Sequence, residues 1–307
     1  MRLAPAELPQ AGNRARVSGR AVRHPDAFFY SLLNRIITRT ISQVMSVYIA
    51  EFIGTAVLLY FGNSINAATS LKYSYAKDSG WIVTAIGWGL AVTFGIYAVG
   101  TISGAHLNPA VTTSLAIAGE IEWNLVPGYI IAQVLGAMLG AALTWIQYLP
   151  HWGKTEDQAT KLGVFCTSGA IDQKGSNLVS EMLGTMVLIF GLLMIGANEF
   201  TEGLNPLVVG GLIAIIGMAQ GGSTGYAINP ARDFGPRLTH FLLPIKGKGH
   251  SNWGYSWVPV LGPIIGGGTG AALYYLAFKD GTHPLGWVCI IASVLAVVYA
   301  IYEEYKK

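Results

Sequence analysis

Two short polar islands hold the residues best placed to do chemistry in this chain. One is Gly104–Ser114, GAHLNPAVTTS, and the other is Tyr226–His240, YAINPARDFGPRLTH. Each carries Asn-Pro-Ala: Asn108, Pro109 and Ala110 in the first, Asn229, Pro230 and Ala231 in the second. Proline costs nothing at the first turn of a helix, because the N–H it lacks has no intrahelical partner there. Asparagine just before it is a favoured N-cap. Each tripeptide therefore reads as a helix start, and the Gly- and Ser-containing residues before it, 101–107 and 221–228, as non-helical backbone. The chemistry on offer is hydrogen bonding, not bond making. Asn side chains donate, and positive helix ends repel cations and protons. Freed backbone carbonyls accept: those of Gly104, Ala105 and His106, and those of Gly225, Tyr226 and Ala227. Such a set suits the passage of a small, neutral, hydroxyl-bearing solute. A single Asn-Pro is usually a turn or a cap, but two in a repeated order are poorly explained that way.

The elements that must position these islands are apolar. Charged residues make up 11% of the chain and apolar residues 52%, with a mean hydropathy of +0.47. Soluble domains carry about 25% charged residues, so this composition belongs to a membrane protein. Glycine is abundant, 39 of 307 residues, which suits closely packed membrane helices. Two cysteines, Cys166 and Cys289, make no disulfide or metal framework, and nothing calls for a cofactor. No basic patch interleaved with aromatics suggests nucleic acid. Six scattered histidines without a nucleophile at a recognisable spacing argue against an enzyme.

A spanning helix needs about 20 apolar residues, which places spans at roughly 46–66, 81–101, 125–148, 177–197, 205–222 and 256–278, with a further run at about 284–302. Two apolar pieces, Ala110–Ala118 and Ala231–Leu243, are too short to cross. The halves repeat: Glu51-Phe-Ile-Gly-Thr55 answers Glu181-Met-Leu-Gly-Thr185, and the two Asn-Pro-Ala tripeptides answer each other. Three spans per half invert the second copy and put a site at the midplane between the repeats. The two half-helices would then meet N-terminus to N-terminus. The long connection Leu149–Ser176 reads as a solvated segment.

The expected organisation is therefore a basic arm over 1–44, one all-α membrane domain over 45–278 with halves of about 46–148 and 177–278, and an extra apolar segment over 279–307. The arm holds seven of the nine arginines and no lysine. Its residues 27–44 fit a basic amphipathic helix on a membrane surface, a targeting segment without a clear cleavage site is another reading, and Met45 is a third, as the true start. The 284–302 run reads as a seventh transmembrane helix.

The segments SGAHLNPAVT (103–112) and GYAINPARDFGP (225–236) resemble the signature motifs of the major intrinsic proteins, the aquaporins and glycerol facilitators, over about residues 46–278. The resemblance implies an aquaporin-like right-handed bundle of six transmembrane helices plus two re-entrant half-helices. It also implies one pore per subunit and a homotetramer in the lipid bilayer of the cell membrane. Glu51 and Glu181 would hold the carbonyl-bearing segments from behind, and the residues agree: an intramembrane carboxylate needs a polar partner, and no basic residue lies in the other spans. The narrow-filter positions fall on Trp88, Gly217, Tyr226 and Arg232. Arg232 offers fixed donors, Trp88 and Tyr226 an apolar corner, and Gly217 room where a histidine would narrow a water filter. Asp233, Arg237 and Pro259-Val260 resemble the glycerol-conducting branch. Tyr226 departs from the Phe of the best-known glycerol facilitators. Arg237 is expected to be structural, and the His106 ring to pack into the scaffold.

The expected function is a passive channel for glycerol or a similar small polyol, and for water. Dihydroxyacetone, urea and small protonated acids are further candidates. A water-selective channel is the near alternative and an inverted-repeat secondary transporter the distant one. The family orientation places Lys72, Lys77, Lys154, Lys161, Lys174, Lys246 and Lys248 outside and Glu120, Glu122, Glu199 and Glu202 inside. That opposes the positive-inside rule unless the arginine-rich arm is part of the mature protein. Mass spectrometry of the purified N-terminus separates a start at Met45 from a retained arm.

Overall fold

The computed structural model describes residues 46–306. The basic arm and its proposed amphipathic helix lie outside them. Within the described residues the chain forms eleven α-helices and no strand. The first half holds α1 (Val47–Ser70), α2 (Trp81–Ser103), α3 (Pro109–Ala118) and α4 (Val126–Gln147). A connection carries α5 (Leu149–Trp152) and α6 (Gln158–Phe165). The second half holds α7 (Lys174–Gly196), α8 (Asn205–Gln220), α9 (Pro230–Leu242) and α10 (Val258–Phe278), and α11 (Pro284–Tyr305) follows.

Local chemistry sets the ends. Ser46 caps α1 by accepting from the Ile49 N–H. Asn108 and Asn229 cap the half-helices α3 and α9, each with proline in the first turn. The α2 helix stops where Gly104 turns left-handed at φ 80°, a conformation that costs glycine little. The same pairing recurs in both halves: α1 packs along α4, and α7 along α10. Close approach in each comes from a pair of glycines. A Cβ at Gly136 or Gly140 would collide with the carbonyls of Phe52 or Ala56, and one at Gly266 or Gly270 with those of Met182 or Met186. Small residues of this kind let membrane helices touch backbone to backbone.

Six helices are long and apolar enough to cross a membrane: α1, α2, α4, α7, α10 and α11. The expected fifth span is shorter than the apolar run suggested. At 16 residues, α8 is about 24 Å long, because the chain leaves the helix at Gly221 to enter the non-helical segment.

The connection between the halves is exposed over 153–154, 156–159 and 170–172, as its polarity implied, but it is helical and also packs inward. Asp157 caps α6, accepting from the N–H groups of Ala159 and Thr160. Trp152, Val164 and Phe165 are buried with Ala67, Leu71, Ala141 and Ile245 in a second small core, and Trp152 stacks on Phe165 with centroids 5.5 Å apart. The polar residues serve the packing. Lys161 Nζ donates to the carbonyls of Lys246 and Gly247. Lys248 Nζ donates to those of His240, Phe241 and Leu243, at the negative end of α9. Two of the seven lysines in the orientation count, Lys161 buried and Lys248 half-buried, thus fasten backbone carbonyls.

The α11 helix runs antiparallel to α10. A Cβ on Gly286 would touch Ala272, one on Gly268 would meet Cys289, and Thr269 Oγ1 lies 2.8 Å from Ser293 Oγ. Its far end reaches the start of α7, where Gln173 Nε2 donates to Glu304 Oε2 at 2.9 Å. At 22 residues it is about 33 Å long, the thickness of a hydrocarbon core. Its outer face shows Trp287, Val288, Ile291, Leu295, Val298 and Tyr302. The expectation is that Lys306→Cys reacts with a membrane-impermeant maleimide from the same side as Glu156→Cys, and from the side opposite Glu202→Cys. Labelling together with Glu202→Cys would instead lay α11 along a membrane surface.

Candidate functional site

The site begins with two buried carboxylates. Glu51 Oε1 accepts from Ser103 Oγ (2.6 Å) and the His106 N–H (2.9 Å), and its Oε2 from the Leu107 N–H (2.7 Å) and Gln133 Nε2 (2.8 Å). Glu181 repeats the pattern with Thr224 Oγ1 (2.6 Å), the Ala227 N–H (3.0 Å) and the Ile228 N–H (2.9 Å). Drawing the N–H groups to one side turns the carbonyls to the other. The backbone pays in strain: Ala105, Leu107, Tyr226 and Ile228 sit at φ 50°, 54°, 39° and 43°, a region that residues with a Cβ seldom occupy. The strained positions match between the halves. Among the described residues no donor reaches the carbonyls of Gly104, Ala105, His106, Gly225, Tyr226 or Ala227, so they are free to accept. The His106 ring packs on Tyr129 (centroids 4.7 Å) with Nδ1 3.1 Å from Thr112 Oγ1, in the scaffold as expected.

The half-helices meet at the two asparagines. Asn108 Oδ1 accepts from the Ala110 N–H, and Asn229 Oδ1 from those of Ala231 and Arg232. Their amides cross: Asn108 Nδ2 donates to the Ile228 carbonyl and Asn229 Nδ2 to the Leu107 carbonyl, both at 2.8 Å. The expectation gave these donors to the solute. One N–H of each is spent joining the halves, and one remains.

Both asparagines line an inner cavity of about 590 Å³. A second cavity of about 690 Å³ lies beyond, bounded by α6 and the residues after it. Trp88, Tyr226 and Arg232 line both, so these three divide the lumen. Trp88 lies over Gly62, where a Cβ would strike its ring, and its indole N–H donates to Asn66 Oδ1 at 2.9 Å. The Arg232 guanidinium lies 4.1 Å from the Trp88 ring, and Nη1 donates to the Phe165 carbonyl at 3.1 Å. The room expected at Gly217 is not lumen. A Cβ there would come within 2.6 Å of the Tyr226 ring, so the glycine houses the phenol. Trp81 closes that pocket, its Nε1 donating to the Gly217 carbonyl (2.9 Å) and its ring edge-on to Tyr226.

A profile of the major intrinsic proteins matches residues 38–275. The chain belongs to the major intrinsic protein family. It is 58% identical over 234 residues to a probable glycerol uptake facilitator protein of Thermotoga maritima, covering 76% of this chain and all of that one. It is 54% identical over 263 residues to the glycerol uptake facilitator protein of Bacillus subtilis, covering 86% and 95%. The solved aquaglyceroporin of Plasmodium falciparum superposes with a TM-score of 0.65 at 30% identity, over 74% of this chain and 93% of that one. This major intrinsic protein therefore has the aquaporin fold, spans the membrane several times and is a channel rather than an enzyme.

Within this major intrinsic protein Asp233 and Arg237 lie outside the lumen. Both are fully buried. Arg237 Nε donates to Asp233 Oδ1 at 2.8 Å and Nη2 to Oδ2 at 3.1 Å. Arg237 also reaches the carbonyls of Ser251, Asn252 and Thr167. Asp233 Oδ2 accepts from the Thr167 N–H and Oγ1, both at 2.7 Å. The pair thus anchors the segment after α6 to α9, as the structural expectation for Arg237 required. Phe165, Thr167, Gln133 and Asn66 escaped the sequence reading. Gln133 and Asn66 each gave a signal, as a polar residue in an apolar span; the backbone groups of Phe165 and Thr167 gave none. Asp233→Ala strands a buried guanidinium and should cost about 3–5 kcal/mol, read as a lowered unfolding temperature in detergent. Asp233→Ala with Arg237→Leu should recover most of it, and equal losses in both variants would count against the pair.

Proposed function

We propose that this chain is a passive channel of the cell membrane for glycerol and similar small polyols, with water as a second permeant, and that it excludes protons and ions. The observation that carries the reading is the constriction shared by the two cavities. There Arg232 supplies donors, and Trp88 and Tyr226 supply ring surface. A polyol fits that pairing, hydroxyls toward Arg232 and carbons toward the rings. On the two sides of the constriction, Gly225 in the second cavity and Gly104, Ala105, His106 and Ala227 in the inner one offer carbonyls that accept from the solute in turn. Asn108 and Asn229 donate the amide proton each has left. The positive ends of α3 and α9, with Arg232, form the barrier to cations.

The names of the relatives, both glycerol uptake facilitators, support the same solute. The water-selective alternative loses support from those names, since neither Gly217, whose space Tyr226 fills, nor the buried Asp233 widens the lumen. A secondary transporter needs mobile ionisable groups at depth, whereas Glu51, Glu181 and Asp233 are each tied down by three or four donors. Residues 45–278 form the channel domain in this reading, and four copies assemble, each with its own pore.

The test is stopped-flow light scattering on proteoliposomes of the purified protein. After the initial shrinkage in a glycerol gradient, rapid reswelling is expected, with none in an impermeant osmolyte. Gly217→His, whose ring must displace the Tyr226 phenol, should abolish the reswelling. Fast water efflux without glycerol entry in the parent protein would refute the glycerol reading and favour a water channel.

A further inference from the structure

The last turn of α6 leaves the carbonyls of Gly163, Val164 and Phe165 without intrahelical partners, as every helix C-terminus does. They point at the constriction and are met from two directions. Arg232 Nη1 takes the Phe165 carbonyl at 3.1 Å. Asn66, on α1, takes the other two, its Nδ2 lying 3.3 Å from the oxygens of Gly163 and of Val164. Those two bonds fix the amide so that Oδ1 turns the other way. That oxygen accepts the indole N–H of Trp88 at 2.9 Å. Asn66 itself lines the outer cavity.

The indole N–H is the one polar group Trp88 owns. Bound to Asn66, it is withdrawn from the solute, and Trp88 offers the lumen only carbon. With Gly62 beneath the ring, its position is fixed from below and from the side. We infer that Asn66 is a positioning residue of the filter: it holds Trp88 and masks its only donor, which makes that wall apolar and favours a carbon backbone over a planar polar solute. The inference rests on the glycerol-channel reading and extends it to the choice among solutes.

A double-mutant cycle in proteoliposomes tests it, with glycerol and urea permeabilities measured on the same preparations. The variants are Asn66→Leu, Trp88→Phe and the two combined. Asn66→Leu frees the indole N–H, and the glycerol-to-urea ratio is expected to fall roughly three- to tenfold, the kinetic equivalent of about one net hydrogen bond. Phenylalanine has no N–H to mask, so in the Trp88→Phe background Asn66→Leu should leave the ratio within about twofold. An unchanged ratio in Asn66→Leu, or an equal fall in both backgrounds, overturns the inference, the latter because Asn66 would then act through α6 alone. If the parent protein passes no glycerol, the channel reading falls and this inference with it. A conducting parent with an additive cycle removes only the inference.

Discussion

Backbone cannot lie bare inside a bilayer, since each unpaired N–H or C=O there costs several kcal/mol. A pore that offers carbonyls to its solute must therefore dispose of the matching N–H groups elsewhere. Glu51 and Glu181 do this. Each takes two consecutive or near-consecutive backbone N–H groups and a hydroxyl. The left-handed residues, the direction of the carbonyls and the meeting of α3 with α9 all follow from that exchange. The carboxylates need no cation to balance them at close range, because charge-assisted bonds to N–H groups replace their hydration.

A second layer of control lies in the connection between the halves. Its helix α6 ends in carbonyls, and its next residue but one, Thr167, grips Asp233 and is gripped by Arg237. The narrow part of the lumen thus draws on several separate stretches of chain, among them the Tyr226 segment before α9 and Asn66 of α1. The half-helix α9 supplies Arg232, α2 supplies Trp88, and the connection supplies the oxygens that keep the first in place directly and the second through Asn66.

Much of this was legible in the residues, for a physical reason. Apolar runs of bilayer length and a tripeptide with one structural meaning are local signals, so the spans, the half-helices and the repeat could be read directly. The carboxylates at 51 and 181 were readable too, because a charge in an apolar run demands a partner. What stayed hidden is long-range or carried by backbone. Phe165 and Thr167 contribute main-chain groups, which no residue type announces. The crossing of the Asn108 and Asn229 amides to Ile228 and Leu107 needs the halves in register. The filling of the Gly217 space by Tyr226 needs both side chains placed, and a glycine alone shows only that something comes close. The connection misled because a charged residue in it is also a fastener: Lys161 looks solvated in sequence and is spent on carbonyls, as Lys248 is in the loop after α9.

The crossed asparagines have a bearing on how the protein is made. During synthesis the first half emerges with Asn108 in place, but the carbonyl it will hold belongs to Ile228, which is added 120 residues later. Until then the mouth of α3 has no counterpart and Leu107 has no amide to receive. Neither half is a smaller version of the finished molecule. Each leaves polar groups that only the other half satisfies, so the lumen is complete only once the second half is packed against the first.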